Sequence, residues 1–457
     1  MKKVCVQGLG FVGAAMATAI AMARKDGQPI YNVFGIDLPT NVGKERIEKL
    51  NAGKFPFETS DKSLQIAVES NIKKQNFLAT SDVDHFEDAD IIVVDIPLDI
   101  SYLDEDPQLN FSSFLDSLSV VSEKIKKGCL LLIETTVPPG TCEQVLAPFL
   151  AKKLKKRRMK LEDISLAHSY ERVMPGENYL ASIREYWRVF SGLNKKSSSD
   201  CRKFLETVID TKNYPLTELK SMTASETAKV MENTYRAVNI AFIDEWTKFA
   251  SSTNLDLIEV IEAIKIRPTH SNIMLPGLGV GGYCLTKDPT FAPAATKQIF
   301  NKDIQFPFSQ LAVKVNNRMP LHVLNVLKAN FTKKISNSNI LICGVTYRPD
   351  VSDTRYSASE ILVCKLLEEG ANVTLHDPHL SFWQELSMDV SNFSDPPANE
   401  DYDVIIMCVS HREYSQIDLE TWFSNSELIV DANNVFNDHQ REILKDLDLP
   451  IHYIGRS

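Results

Sequence analysis

What the sequence lacks already excludes several classes of protein. It has no apolar run long enough to span a bilayer, and its eight cysteines form no CxxC pair and no Cys/His spacing typical of a metal site. Acidic residues outnumber basic residues, 60 to 50, and the formal net charge is −10. We therefore expect a cytoplasmic protein with reduced thiols, no metal site, and no nucleic-acid or membrane partner.

The first residues allow two interpretations. Met1, Lys2 and Lys3 precede an apolar, alanine-rich run, as in a secretory signal. The alternative is a short first strand that enters a glycine turn and then a buried helix. The spacing of the glycines favours the strand.

Hydrophobic periodicity predicts an α/β fold. Short apolar runs, such as residues 91–94 and 130–133, alternate with helical patterns up to about residue 200. This alternation is typical of a parallel sheet covered on both faces. It returns after about residue 335, and a loop is expected at residues 395–397 (Asp-Pro-Pro).

Between these two α/β regions the pattern is helical, and residues 222–251 are long enough for one long helix. The sequence therefore predicts two Rossmann-like domains with parallel sheets, joined by a central all-helical segment. A chain of 457 residues is long enough for such an arrangement. The predicted boundaries are 1–200, 201–325 and 326–457.

Gly8, Gly10 and Gly13 form a GxGxxG pattern between a predicted strand and a predicted helix. In dinucleotide-binding turns the first glycine forms the turn, the second admits the pyrophosphate, and the third packs the helix on the strand. Asp37 ends the second predicted strand, where a carboxylate binds the adenosine ribose and repels a 2′-phosphate. These features predict NAD as the cofactor. NADP is the alternative, because Lys44 lies nearby.

Residues 275–289 place Cys284 in a loop after four glycines and just before Lys287 and Asp288. Glycine lets a backbone close tightly around a ligand, and a nearby cation favours the thiolate, the nucleophilic form of cysteine. Cys284 is therefore predicted to be a catalytic thiol held against a substrate. The alternative is an ordinary loop with a buried cysteine.

Two further loops follow predicted strands, where ligands bind in open α/β sheets. Thr136 is a candidate to hold a nicotinamide or a catalytic water, and the alternative is a Pro/Gly turn with a helix-capping threonine. Glu171 is a candidate acid, base or water-positioning group, and the alternative is a surface or paired carboxylate.

Glu226, Lys229 and Asn233 lie three and four residues apart in the predicted long helix and therefore share one face. One interpretation is a polar pocket in which Lys229 and Asn233 stabilise an oxyanion. The other is a salt bridge between Glu226 and Lys229 on a solvated face.

The last α/β region carries two arginines, Arg348 and Arg355, in a loop after a predicted strand. Guanidinium groups in such a loop suit a diphosphate. The alternative is that they pair with Asp350 and Asp353.

These motifs, in this order, resemble those of the nucleotide-sugar 6-dehydrogenases, which act on UDP-glucose, UDP-N-acetylglucosamine, UDP-N-acetylmannosamine or GDP-mannose. The resemblance covers nearly the whole chain and is carried by the glycine turn, the polar helix face, and the runs 135–138, 281–288 and 347–355. It implies an NAD-dependent homodimeric enzyme with a UDP-sugar substrate. It also implies NAD binding by the first domain, dimerisation by the central one, which carries the cysteine loop, and UDP-sugar binding by the last.

The chemistry implied by the resemblance is a four-electron oxidation of the sugar C6 alcohol to a uronic acid, through a cysteine thiohemiacetal and thioester. The residues implied in catalysis are Cys284, Lys229, Asn233, Asp288, Thr136 and Glu171. Those implied in cofactor binding are Gly8, Gly10, Phe11, Val12, Gly13, Asp37, Pro97, Thr136, Lys287 and Arg355. Those implied in substrate binding are Glu171, Arg172, Lys229, Asn233, Gly279, Gly281, Arg348 and, reaching across the dimer, Arg267.

Some positions depart from the family pattern. Pro175 stands where the UDP-glucose enzymes usually carry a second glutamate, and residues 171–176 look more like the enzymes for N-acetylated sugars. The resemblance therefore favours UDP-N-acetylglucosamine or UDP-N-acetylmannosamine over UDP-glucose. Thr286 replaces a usual proline, so its loop is expected to be less rigid, and the acidic run 100–110 has no predicted role.

The sequence is also compatible with two other functions. One is a simple two-electron dehydrogenase, which needs no cysteine. The other is a non-catalytic sensor of NAD or of a nucleotide sugar.

Overall fold

The computed structural model describes residues 1–103, 106–392 and 401–456. The loop predicted at residues 395–397 lies outside them, as do Asp104 and Glu105 of the acidic run. The chain divides into two compact units. The first comprises Met1–Glu232 and Thr290–Gln305, and the second comprises Asn233–Pro289 and Phe306–Ser457.

The strands in chain order are β1 Lys2–Gln7, β2 Arg24–Lys25, β3 Gln28–Pro29, β4 Tyr31–Ile36, β5 Phe77–Thr80, β6 Ile91–Val94, β7 Ile100–Leu103, β8 Asp106–Leu109, β9 Leu130–Ile133, β10 Ser165–His168, β11 Val189–Gly192, β12 Thr217–Glu218, β13 Asn339–Cys343, β14 Asn372–His376, β15 Phe382–Trp383, β16 Met388–Asp389, β17 Val404–Met407, β18 Leu428–Asp431 and β19 Ile451–Tyr453.

The α-helices in chain order are α1 Phe11–Ala21, α2 Asn41–Asn51, α3 Lys62–Lys73, α4 Ser112–Lys124, α5 Ala147–Lys156, α6 Tyr179–Arg184, α7 Lys195–Val208, α8 Met222–Thr253, α9 Leu257–Lys265, α10 Phe291–Gln298, α11 Pro307–Asn316, α12 Met319–Asn330, α13 Ala358–Glu368, α14 Leu419–Phe423 and α15 Asp438–Asp446.

The first unit is built on a sheet in the order β12-β11-β10-β9-β6-β1-β4-β5. Its strands pair in parallel except β10 with β11. From β5 to β10 this is the order 3-2-1-4-5-6 of dinucleotide-binding sheets, in which the ligand crevice opens beside the first strand. Because every residue of β6 and β9 is buried, these strands are apolar throughout instead of alternating. The first residues thus form strand β1, as the glycine spacing predicted.

The second unit contains a parallel sheet in the order β14-β13-β17-β18-β19. This is the order 2-1-3-4-5, the other common doubly wound arrangement, with its crevice between the first and third strands. The predicted α/β class with two parallel sheets is confirmed.

The long helix α8 is confirmed and runs over 32 residues, Met222–Thr253, or about 48 Å. It contains no glycine or proline that would interrupt it. Among the helices within the described residues, none is both long enough and apolar enough to cross a membrane.

Within the acidic run 100–110, strands β7 and β8 pair in an antiparallel hairpin. It packs against α10, where Gln298 donates to the Pro107 carbonyl at 2.9 Å and accepts the Leu109 N–H at 3.0 Å. The hairpin is therefore an integral part of the first unit.

The glycine turn between β1 and α1 is tightly constrained at two of its three glycines. Gly8 has φ +94°, and a Cβ added to Gly13 would lie 1.8 Å from the Gly8 carbonyl oxygen. A Cβ on Gly10 would meet no atom within 4 Å. Gly8 and Gly13 are thus required by packing, whereas Gly10 borders open space.

Beneath this turn lie buried charged groups at the ends of β6 and β9. Glu134 forms an ion pair with Arg188 at 2.6 Å, and both side chains are almost fully buried. The carboxyl oxygens of Asp95 are also buried. Burial, followed by the negative charge of Glu134, raises the pKa of Asp95 well above its usual value. Asp95 therefore holds its proton to a higher pH than a free aspartate does.

We predict that two alanine substitutions in the glycine turn affect different properties, one the stability of the protein and the other its affinity for NAD. Gly13→Ala overpacks the turn and should lower the free energy of unfolding by more than about 1 kcal/mol. Gly10→Ala should cost at most about 1 kcal/mol, but should weaken NAD binding at least tenfold, by about 1.4 kcal/mol, because the methyl group enters the space expected to hold the pyrophosphate. Urea unfolding and calorimetric NAD titration measure the two effects, and an unchanged NAD affinity in Gly10→Ala would contradict the assignment.

We predict that Asp95→Asn stabilises the protein increasingly as the pH rises. In the unfolded chain Asp95 ionises above about pH 4, whereas in the folded state it holds its proton to a higher pH. The free energy of unfolding of the wild type therefore falls as the pH rises above about 4. Asparagine carries no such dependence. Melting temperatures measured from about pH 5 to pH 8 should show a growing gain for the variant, and no trend for the control Asp116→Asn, which is exposed on α4. A gain that is independent of pH would refute the buried protonated carboxyl.

Candidate active site

Cys284 is exposed, in contrast to the other cysteines, of which Cys364 is half-buried and the rest are buried. Its carbonyl oxygen accepts the N–H groups of Lys287 at 3.2 Å and of Asp288 at 2.9 Å, which closes a tight turn after the thiol. The alternative of a buried cysteine in an ordinary loop is therefore wrong. The turn presents the thiol on the surface of the second unit.

The glycines before Cys284 pack against the loop that follows β13 and against the first residue of α13. A Cβ on Gly281 would lie 2.7 Å from the Cβ of Tyr347, and one on Gly279 would lie 2.8 Å from the Cβ of Ala358. The Gly282 N–H donates to the carbonyl of Arg355 at 3.0 Å. From the sequence, we attributed these glycines to the close approach of a ligand. The structure gives a second reason, because side chains at these positions would collide with neighbouring residues of the second unit.

Thr286, which replaces a usual proline, donates its hydroxyl hydrogen to the Gly282 carbonyl at 2.9 Å. This bond ties the end of the loop to its beginning. The side chain thus supplies a restraint where the sequence predicted a less rigid loop.

Two predicted catalytic residues of the second unit lie together. The Asn233 side-chain amide donates to the carboxylate of Asp288 at 2.6 Å. Asp288 is fully buried, and the ammonium of Lys287 lies 3.4 Å from its other oxygen. Lys287 also lies 4.2 Å from the centre of the Tyr283 ring. The amide and the ammonium hold this buried carboxylate in a fixed position, from which it is able to orient a neighbouring group.

Arg355 forms a two-point ion pair with Asp353, with bonds of 2.9 Å and 2.6 Å. Burial lowers the pKa of Arg355, but the hydrogen bond and charge of Asp353 outweigh it and raise the pKa, and the charge of Cys284 acts in the same direction. The predicted alternative is therefore correct for this pair. Asp350 instead accepts the backbone N–H of Arg412 at 3.1 Å, and Arg348 is half-buried.

In the first unit, Lys229 and Glu171 lie together. The Lys229 ammonium donates to the Glu171 carbonyl at 3.0 Å and lies 3.4 Å from its carboxylate. Both residues are about nine-tenths buried. Glu171 is thus the paired carboxylate of the alternative interpretation, but it is not a surface group.

Glu226 has a different partner from the one predicted. Its carboxylate accepts the backbone N–H groups of Gly140 at 2.6 Å and Cys142 at 2.7 Å. Burial raises the pKa of Glu226 to about 8, although these bonds oppose the rise. The predicted solvated face with a Glu226–Lys229 salt bridge is wrong, because both side chains are buried and are held by other groups.

The loop after β9 is held by Thr135, whose hydroxyl donates to the carbonyls of Val94 at 3.1 Å or Ile96 at 2.8 Å. Thr136 follows it and is half-buried at the strand end. Gly140, with φ +89°, precedes the π-helix Thr141–Leu146 without a side-chain cap. The alternative of a helix-capping threonine is therefore wrong here.

Arg172 and Tyr170 both contact the carboxylate of Glu232, the tyrosine hydroxyl at 2.9 Å. Arg172, predicted to bind substrate, is therefore paired with Glu232 in this structure. Arg267, in the second unit, is exposed just before the short 3₁₀ helix Pro268–His270.

The crevice beside β1 fits a dinucleotide. Helix α1 begins after Gly10 without a side-chain cap, and the N-terminus of a helix favours an anion such as a pyrophosphate. Asp37 lies just after β4, where its carboxylate accepts the Leu38 N–H at 2.9 Å and lies 3.3 Å from Arg46. Arg46 was not among the predicted site residues, although its place on α2, nine residues after Asp37, is visible in the sequence.

Three further predicted cofactor residues surround this turn. Phe11 stacks on Phe57 with ring centres 3.9 Å apart, and its carbonyl accepts the Tyr179 hydroxyl at 2.6 Å. Val12 is half-buried and Pro97 is exposed. The stacking of Phe11 on Phe57 and the hydrogen bond from Tyr179 together hold the first residue of α1 in place.

Comparison with known proteins agrees with these features. Profiles of the UDP-glucose/GDP-mannose dehydrogenase family match the chain in order: the NAD binding domain over residues 2–209, the central domain over 223–318 and the UDP binding domain over 341–438. The UDP-N-acetyl-D-mannosamine dehydrogenase of Methanocaldococcus jannaschii is 30% identical over 99% of this chain and 96% of its own.

Two solved structures share the fold. The NDP-N-acetyl-D-galactosaminuronic acid dehydrogenase of Methanosarcina mazei is 26% identical, with a TM-score of 0.80 over 100% of this chain and 96% of its own. The UDP-D-ManNAc dehydrogenase of Pyrococcus horikoshii is 24% identical, with a TM-score of 0.82 over 99% of both chains. With three domains of one family matched in order, the chain belongs to the UDP-glucose/GDP-mannose dehydrogenase family and is an NAD-dependent nucleotide-sugar dehydrogenase.

Proposed function

We propose that the protein oxidises the C6 alcohol of UDP-N-acetylmannosamine to the uronic acid, using Cys284 as a covalent nucleophile. The observation that carries the covalent step is the exposed thiol in a loop fixed beside the Asn233–Asp288 pair. The sugar is supported by the relative from Methanocaldococcus jannaschii, named as a UDP-N-acetyl-D-mannosamine dehydrogenase. UDP-N-acetylglucosamine is the nearest alternative and UDP-glucose a more distant one.

The overall reaction consumes one sugar, two NAD⁺ and one water, and yields the uronate, two NADH and three protons. NAD supplies the hydride acceptor for both oxidations. The first oxidation converts the C6 alcohol to an aldehyde. The sulfur of Cys284 then forms a C–S bond to the aldehyde carbon, and a thiohemiacetal results.

Lys229 and Asn233, which lie on one face of α8, stabilise the oxygen that becomes negative in this step. Loss of the second hydride from the same carbon leaves a thioester. Asp288, with Thr136 and Glu171, orients the water that attacks it. Cleavage of the C–S bond then returns Cys284 as a thiolate.

The three predicted segments divide these tasks. We assign NAD binding to residues 1–200, and the cysteine loop and dimerisation to residues 201–325. The UDP part of the substrate is assigned to residues 326–457, with Arg348 as a substrate-binding residue, and Lys287 and Arg355 are assigned to cofactor binding.

A homodimer is proposed from the aromatic face of α8. Phe242, Trp246 and Phe249 are each exposed by nearly half, and neighbouring rings lie 6.3 Å and 5.7 Å apart. Such a contiguous apolar face marks an interaction surface. A second copy of the chain is the proposed occupant, and its Arg267 would complete the substrate site.

Replacing the nucleophile should abolish uronate formation. We expect Cys284→Ser to lower the rate by more than about a thousandfold, while Cys364→Ser, a half-buried thiol on α13, keeps wild-type activity. NADH absorbance and uronate analysis with the three UDP-sugars measure both variants. Wild type should give two NADH per uronate, fastest with UDP-N-acetylmannosamine.

The same assay separates the other two functions. A simple dehydrogenase would produce one NADH per sugar and would tolerate Cys284→Ser, and a sensor would produce no NADH. Either result would refute the covalent mechanism.

Charge placed on the aromatic face should separate the subunits. We expect Trp246→Glu to be monomeric by size-exclusion chromatography with light scattering, because a carboxylate is costly to bury at an apolar interface. Glu245→Gln, at the neighbouring exposed position, should remain dimeric. A dimeric Trp246→Glu protein would exclude this face as the interface.

A further inference from the structure

The polar face of α8 consists of Glu226, Lys229 and Asn233, and the proposed reaction leaves Glu226 without a role. The Glu226 side chain is fully buried. Its two carboxylate oxygens accept one backbone N–H each, from Gly140 at 2.6 Å and from Cys142 at 2.7 Å. Hydrogen bonds to a charged acceptor are about twice as strong as neutral ones. Glu226 therefore ties α8 firmly to the segment that follows β9.

The same two segments are joined a second time, by Glu143. This residue lies in the π-helix Thr141–Leu146 and accepts the Met222 N–H at 3.1 Å and the Thr223 hydroxyl at 2.5 Å. Both donors belong to the first turn of α8. Each segment thus carries a glutamate that binds the beginning of the other. Two contacts made in opposite directions restrict sliding of one segment along the other.

The loop between β9 and the π-helix is also confined by packing. Gly140 has φ +89°, and a Cβ at this position would lie 2.5 Å from a ring atom of Phe300. Val137 is buried in the same core cluster as Met222, the first residue of α8. Thr136, one residue before Val137, is therefore held at a fixed place relative to α8.

We propose that Glu226 is a positioning residue of the dehydrogenase reaction, which sets the place of Thr136 relative to Lys229 through its two backbone bonds. This role rests on the proposed function, in which Thr136 helps to orient the attacking water and Lys229 stabilises the oxyanion. Lys229 lies three residues after Glu226 on the same helix face. A misplacement of about 1 Å is enough to lower a reaction rate by about a hundredfold, so the two backbone bonds should matter for turnover.

The contact depends on the ionised form of Glu226. A protonated carboxyl, like the amide of glutamine, turns a donor towards one of the two N–H groups. Burial raises the pKa of Glu226 to about 8, although the bonds from Cys142 and Gly140 oppose the rise and the charge of Glu143 adds to it. Burial and the charge of Glu226 raise the pKa of the Cys142 thiol well above its usual value, so this thiol stays neutral. The contact should therefore tighten as the pH rises through about 8.

The test compares full-length wild type with Glu226→Gln and with the control Glu245→Gln, which is exposed further along α8. Steady-state rates with NAD and the UDP-sugar are measured from about pH 6.5 to about pH 9. At the upper end, Glu226→Gln should lower kcat at least about tenfold and change KM for the UDP-sugar less than about threefold. The control should match wild type throughout.

The ratio of the wild-type kcat to that of Glu226→Gln should shrink towards the lower end of the range, because wild-type Glu226 is then protonated and resembles glutamine. Ionisation of Cys284 affects both proteins alike and cancels in this ratio. A ratio that does not change with pH, an undiminished kcat, or a change in KM alone would overturn the positioning role. A wild type that forms no uronate would instead refute the proposed function, and this role with it.

If Glu226→Gln fails to fold, Glu143→Gln decides. It weakens the same contact from the other segment and should lower kcat with little change in KM, although by less, since an amide oxygen still accepts one of the two bonds. An unchanged kcat in this variant would then overturn the proposal.

Discussion

A buried ion pair holds the carboxyl edge of the first sheet together. Arg188 bonds to Glu134 at the end of β9 and, at 2.6 Å, to the carbonyl of Tyr170. Removing one partner of such a pair leaves an uncompensated buried charge and costs about 3–5 kcal/mol. Since Tyr170 directly precedes Glu171, the position of Glu171, and with it the bond to Lys229, depends on this pair. The geometry of the proposed catalytic groups in the first unit therefore follows from one arginine in the core.

Much of the fold was predictable because its signals are local. Fully buried strands such as β6 and β9 are continuous apolar runs, and α8 lacks any residue that breaks a helix. The partners of polar side chains are not local. Glu226 binds backbone N–H groups more than 80 residues away, and no spacing in the sequence reveals that. The sequence therefore placed Glu226 and Lys229 on one helix face, but the salt bridge between them, one of its two interpretations, is wrong.

In the candidate site, too, local features were predictable from the sequence, whereas contacts between distant residues were not. Glycine content marked the Cys284 loop, and the Asn233–Asp288 bond joins two residues that the family resemblance had each selected. By contrast, Lys229 and Glu171 lie 58 residues apart in the chain, and only the fold brings them together. Residue spacing in the sequence cannot reveal this contact, because the two residues belong to different parts of the chain.

The contact between the Cys284 loop and the loop after β13 has a consequence for changing what the enzyme accepts. Gly281 rests on Tyr347, and Gly282 is bonded to Arg355, so the two loops form one rigid piece. Exchanging the second loop for that of a relative, in order to recognise another nucleotide, also exchanges the surface on which the thiol is seated. Substrate selectivity and thiol reactivity, as proposed for these two loops, must therefore be redesigned together.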